Sequence, residues 1–134
     1  MYSQYKVSKI STLDKINVNI NNNNQFIFNK NKFLYSSKIN NNQLIIFFHG
    51  AICKGTKPPI FRGYQYNNIH NVDILSLSDV LLEEYEDKNL LLGWFLSTEK
   101  ENLFKTYTSI ISKILEKNYK KVLFTGASGG GYPA

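Results

Sequence analysis

Residues 121–131 read KVLFTGASGGG: a lysine, the apolar run Val122-Leu123-Phe124, then a serine set among small residues. A short apolar run bounded by turn-forming residues predicts a buried strand over Lys121 to Thr125. The segment that follows, Gly126-Ala127-Ser128-Gly129-Gly130, fits the pattern G-x-S-x-G. That spacing has a mechanical reason. A serine held on a sharp strand-to-helix turn needs small neighbours on both sides, because the turn is strained and the backbones pass closely. Gly126 and Gly130 supply this clearance. The turn lifts the Ser128 hydroxyl above the sheet and aims the Gly129 N–H, at the start of a helix, at the place where a carbonyl oxygen would gain negative charge.

A second, independent signal lies upstream. Gln43 to Phe48 carries Leu44, Ile45, Ile46, Phe47 and Phe48 without alternation, the pattern of a central strand covered on both faces, and it ends in His49-Gly50-Ala51. In a parallel sheet both strand ends lie on one edge, so a backbone N–H of Ala51 or Ile52 converges with that of Gly129 to complete an oxyanion hole. Val72 to Leu77 predicts another strand, ending at Ser78-Asp79. Thr98 and Glu101 form a capping-box pattern ahead of Leu103, Tyr107, Ile110, Ile111, Ile114 and Leu115 at helical spacing, which predicts a helix ending near Asn118. Strands separated by a loop and a helix imply crossovers and a parallel sheet. Residues 51–71, with Gly55, Pro58, Pro59 and Gly63, predict a long loop. Leu90 to Leu96 is a further apolar run, broken by Gly93 and ambiguous in type.

The N-terminal part, residues 1–42, reads as an antiparallel hairpin: Ile16, Val18 and Ile20 alternate with polar partners, Asn21 to Asn24 make the turn, and Phe26 and Phe28 resume the alternation. Residues 43–134 carry the parallel sheet up to the serine turn. The whole is one α/β domain of 134 residues, a hairpin leading into a parallel sheet with a crossover helix.

Taken together, strand-His49-Gly50-loop, strand, helix and strand-Gly126-Ala127-Ser128-Gly129-Gly130-Gly131-Tyr132-Pro133-Ala134 resemble the N-terminal half of the α/β-hydrolase superfamily, over roughly Lys15 to Ala134. More narrowly, Phe47 to Ala51, Ser78-Asp79, Gly93-Trp94-Phe95 and the Ser128 to Gly131 turn are similar to hydrolase-like proteins of bacterial capsular polysaccharide biosynthesis. The resemblance implies Ser128 as nucleophile, Gly129 and Ala51 as oxyanion donors, and ester hydrolysis or acyl transfer on a small-molecule or carbohydrate ester. It implies no cofactor and no metal. The alternative it leaves open is a non-catalytic hydrolase-fold module of a polysaccharide assembly system. The family's acid and histidine follow its serine, and only six residues follow Ser128 here. The expectation is therefore an incomplete hydrolase fold, a fragment nearly inert by itself, since a serine hydroxyl is a poor nucleophile without a base.

Other residues have structural as well as functional readings. His49 either orients the oxyanion loop through hydrogen bonds or moves a proton, His70 lies in a polar loop, and Asp79 either binds substrate or caps a turn. Cys53 reads as a small packing residue. Trp94 either stacks on a sugar ring or joins the core. Thr125-Gly126 followed by glycines approaches the phosphate loop of short-chain dehydrogenases, but Tyr132 stands where the last glycine belongs and no ribose-binding acid follows. A Walker P-loop fails at Tyr132 and Pro133, where Lys and Ser/Thr are required.

Composition sets the outer bounds. The apolar fraction of 43%, with nine Tyr and nine Phe, excludes wholesale disorder. The single cysteine excludes an internal disulfide and any Cys-based zinc site. No apolar stretch approaches the roughly 18 residues of a membrane-spanning helix and no leader pattern opens the chain, so the expected address is the cytoplasm. The net charge of +6 comes from lysines scattered among asparagines: up to Ile60 eight lysines face Asp14 alone, and beyond it eight basic residues face nine acids. Arg62 is the one arginine. No basic cluster interleaves with aromatics, so nucleic acid is not an expected partner. The apolar face of residues 122–124, with no strand or helix to cover it, predicts poor solubility of the isolated chain; a monodisperse, cooperatively melting sample would contradict that.

Overall fold

The computed structural model describes residues 2–134. Six strands, β1 (Lys6–Ile10), β2 (Asn22–Phe28), β3 (Asn31–Ser37), β4 (Gln43–Phe48), β5 (Val72–Leu77) and β6 (Lys121–Gly126), pair in the order β1-β2-β3-β5-β4-β6. The sheet is mixed. β4 runs parallel to both of its neighbours, while β3 is antiparallel to β2 and to β5. The two short helices are α1 (Leu81–Glu84) and α2 (Leu103–Leu115).

The expected central strand is therefore present. Its side chains nonetheless divide between two different coverings. Leu44, Ile46 and Phe48 join Leu75, Leu77, Phe33 and Tyr35 in the main core under Leu103, Tyr107, Ile110 and Ile114 of α2. Phe47 faces the other way, where Tyr66 stacks on it at 6.0 Å between ring centroids. On that second face Tyr2, Tyr5, Leu34, Phe61 and Tyr64 pack together, and the Tyr5 hydroxyl donates to the Tyr64 carbonyl. The β4-to-β5 connection thus covers one face and the β5-to-β6 connection the other, each half-burying a strand that elementary burial energetics would leave unstable alone.

Four expectations need correction. Residues 15–20 are not a strand. Leu13–Lys15 is a single 3-10 turn, and Ile16 and Val18 are buried in the core as inward-pointing residues of irregular chain, so the alternation marked burial without pairing. The hairpin is β2 with β3, and Asn22 to Asn24 belong to its first strand instead of a turn; Phe28 pairs with Asn31 across Asn29 and Lys30, both left-handed (φ 47° and 66°). That conformation is usually signalled by Asn-Gly, and lysine hides it. β1, parallel to β2, and β3 are additional strands. The helix begins one turn later than the Thr98 box implies. Thr98 Oγ1 accepts from the Lys100 and Glu101 N–H groups in a separate turn, and the Asn102 side chain caps α2 through Lys105 N–H at 3.0 Å. Finally, β6 is an edge strand with Leu123 56% exposed, not a buried one. Leu90 to Leu96 is loop. No helix among the described residues is long and apolar enough to cross a membrane.

At the end of the sheet remote from Ser128, the segment between α2 and β6 is held down by a buried polar cluster. The Asp73 carboxylate accepts from Tyr119 OH at 2.6 Å, Asn41 Nδ2 at 2.8 Å and Lys38 N–H at 3.0 Å, and it pairs with Lys117 Nζ. Tyr35 and Tyr119 share a further hydroxyl contact at 2.8 Å. Burial pushes the Tyr119 phenol far above its ordinary range. Because one ionic partner left alone in such a place is uncompensated, Asp73→Ala is expected to lower the unfolding free energy by about 3–5 kcal/mol, read by urea denaturation. Adding Lys117→Met to that variant recovers part of the loss.

Candidate functional site

The strand order β5-β4-β6 carries the chain from β4 to one side and then back across it to the other. Such a reversal opens a crevice beyond the carboxyl ends of β4 and β6, the usual place for a ligand in an open α/β sheet. Both sequence motifs fall there. Phe48 pairs with Gly126, so His49-Gly50-Ala51 leaves β4 directly alongside Ala127-Ser128 leaving β6.

The serine turn is built under tight steric limits. Ser128 is exposed and left-handed (φ 52°), between an extended Ala127 and a 3-10 turn over Ser128–Gly131. A Cβ on Gly126 would stand 1.9 Å from the Gly130 carbonyl oxygen, and one on Gly130 would stand 2.4 Å from that of Phe48. Neither neighbour is a side chain that could swing away, so the clearance expected of these two positions is a requirement of the backbone crossing. A Cβ on Gly50 would meet Ala127 O at 2.5 Å and Ser128 Cβ at 3.4 Å, which brings the His49-Gly50 turn against the serine.

Of the backbone donors, Ile52 N–H is taken by Leu91 O at 2.8 Å. Ala51 is exposed, and its N–H and that of Gly129 have no partner among the described residues. Gly129 itself is buried, with Leu92 and the Trp94 ring closing over it. The cleft beside Ser128, about 380 Å³, is lined by Phe47, Gly50, Ala51, Gln65, Tyr66 and the single arginine, Arg62. No acidic residue lines it.

His49 and Asp79 form the support behind this edge. Both are 0% exposed. Asp79 N–H donates to His49 Nε2 at 3.1 Å, which leaves the proton on Nδ1 to donate to Gly50 O at 2.8 Å. Burial pushes the imidazole below its ordinary range, outweighing the Gly50 carbonyl and the Asp79 carboxylate, which pull it up. His49 is thus a neutral strut that sets the Gly50 carbonyl. The Asp79 carboxylate accepts from Leu81, Gly93 and Phe95 N–H groups at 3.2, 2.8 and 3.2 Å. It is sealed from solvent and organises the 93–95 loop, so of its two readings the substrate-binding one is not met. His70 precedes β5 and therefore lies at the opposite edge of the sheet.

The remaining assignments differ in outcome. Cys53 is exposed, not packed. Trp94 is 47% exposed beside the serine turn, where an apolar run suggested core; it was Phe95 that went inside. No sequence signal distinguishes the two, because the decision is made by left-handed backbone at both residues (φ 62° and 55°). Among the described residues no group of three His, Cys, Asp or Glu side chains is arranged to hold a metal ion. Comparison of the chain with protein-family models, curated proteins and solved structures finds no match to any of them.

A buried His with a depressed affinity for protons costs stability only where the unfolded chain would take one up. Above about pH 6.5 the imidazole is neutral in both states; below it the unfolded chain gains a proton that native His49 refuses. The urea midpoint is therefore expected to fall as pH drops from 7 toward 5. A His49→Gln variant should be less stable at pH 7 and show a flatter slope.

Proposed function

We propose that this chain carries the nucleophile and oxyanion hole of a serine esterase or acyltransferase of α/β-hydrolase type. One observation carries the reading: a solvent-exposed serine in left-handed conformation at the tip of a parallel strand, wedged between glycines that admit no Cβ and flanked by two unpaired backbone amides. A strained residue held by its surroundings at a sheet's ligand-binding edge points to function. In the proposed reaction Ser128 Oγ forms a bond to the ester carbonyl carbon and gives up its proton to a base. The Gly129 and Ala51 N–H groups bind the oxygen that becomes negative, and the ester C–O bond breaks as the alcohol leaves with a proton. A carbohydrate ester is the substrate class that the narrower resemblance supports.

A second reading is favoured by one specific finding. Neither histidine can take the serine proton, because His49 has both ring nitrogens engaged and His70 sits at the far edge. A hydrolase-fold module without catalysis is consistent with that.

Chemical supply of the base separates the two. With an oxyanion hole but no internal base, a residual acceleration of about 10³–10⁴ over solvent remains available. A fluorophosphonate should then modify Ser128 slowly at pH 7 and faster in proportion to added imidazole, with the adduct mapped by mass spectrometry and lost in Ser128→Ala. Absence of a Ser128 adduct at every imidazole concentration supports the non-catalytic module.

A further inference from the structure

Trp94 is the one tryptophan of the chain, and its backbone works against it. Two successive non-glycine residues, Trp94 and Phe95, hold φ of 62° and 55°, a region that bulky side chains rarely adopt. The conformation is enforced from below. Asp79 Oδ2 accepts from the N–H groups on either side of Trp94, at Gly93 and Phe95, and a Cβ on Gly93 would stand 2.8 Å from that same oxygen. Phe95 has a packing reason to be there: it is buried, with its ring 5.2 Å from Phe48, 5.2 Å from His49 and 5.5 Å from Tyr107. Trp94 has none. Its ring is turned outward, half in solvent, where it meets the exposed Tyr132 edge-on at 6.2 Å and 89°. Its Cζ3 reaches within 3.2 Å of where a Cβ on Gly129 would stand, so the indole lies beside the serine turn.

A buried carboxylate committed to three backbone donors, and a strained pair of residues above it, together present one large aromatic ring to solvent next to Ser128. The Asp79 hydrogen bonds go to backbone N–H groups and do not require an indole between them, since a small residue at 94 would leave them in place at lower conformational cost. We propose that Trp94 is a platform for a sugar ring, and that the substrate of the Ser128 site is an O-acylated pyranoside. The flat apolar face of a pyranose, made of ring C–H groups, stacks on the open part of the indole, Tyr132 borders it at right angles, and the acyl group of the same sugar reaches the exposed Ser128. This assignment of substrate class rests on the reading of Ser128 as nucleophile.

Because Trp94 is the sole tryptophan, its fluorescence reports the event directly and without turnover. Titration with methyl 6-O-acetyl-glucopyranoside should give a saturable change in Trp94 emission, whereas triacetin, a non-cyclic ester, should give none below a tenfold higher concentration. Ligand-observed NMR on variants supplies the second readout. Trp94→Asn, which tolerates the left-handed backbone, should keep a Tm at or above that of the parent and lose sugar binding at least tenfold, and Trp94→Phe should retain most of it. Equal response to sugar and triacetin, or sugar affinity within twofold in Trp94→Asn, overturns the platform. Sugar binding that depends on Trp94 in a protein whose Ser128 is never phosphonylated upholds the platform and removes the nucleophile reading instead.

Discussion

At the upper edge of the sheet three stretches of backbone meet with no space between them. The carbonyls of Phe48 and His49 press on Gly130, the Gly130 carbonyl presses on Gly126, and the Ala127 carbonyl presses on Gly50. This contact fixes how far β4 and β6 can approach and how sharply the chain must bend between them. The left-handed Ser128 follows from it, since a wider bend would drive the 128–131 turn into the end of β4. The exposed hydroxyl and the free Gly129 amide are then consequences of steric exclusion before they are chemistry.

Behind the crowded edge sits a polar hub that water does not reach. His49 links the turn after β4 to the turn after β5 through the Asp79 N–H, and the Asp79 carboxylate extends the link to residues 93 and 95. Three loops of different sequence distance are held as one body by two side chains. The arrangement is satisfied throughout, each polar atom meeting a backbone partner, which is the condition under which buried polar groups specify a single geometry. At the opposite end the Asp73, Lys117, Tyr119 and Tyr35 cluster does the same for the segment between α2 and β6, so the sheet is clamped at both ends by carboxylates.

The parts of this architecture written in local chemistry could be read from residues alone. Gln43–Phe48, Val72–Leu77 and the α2 stripe of Leu103, Tyr107, Ile110 and Ile114 have unambiguous apolar patterns, and G-x-S-x-G carries its own stereochemical demand. What escaped has a nonlocal cause. Lys6–Ile10 is an edge strand held by pairing with β2 and by Ile10 against the core, and Asn22 to Asn24 enter a strand because Asn22 Nδ2 finds Asn17 O, Ile20 O and Ser37 Oγ. Nothing at Ile16 or Val18 records that they point inward from irregular chain. That the turns holding Ser128, Gly129 and Ala51 share one edge of the sheet was legible from spacing, while the choice between exposing Trp94 and Phe95 depends on the Asp79 carboxylate, fourteen residues before Gly93 and sixteen before Phe95.

The left-handed backbone at position 128 also limits which side chains evolution or an engineer could install there. A φ of 52° is strongly unfavourable for β-branched side chains, so threonine, the nearest hydroxyl, is strained there, whereas asparagine, aspartate and glycine fit the same bend. The alphabet available at this corner is decided by the shape of the chain before any chemistry is asked of it.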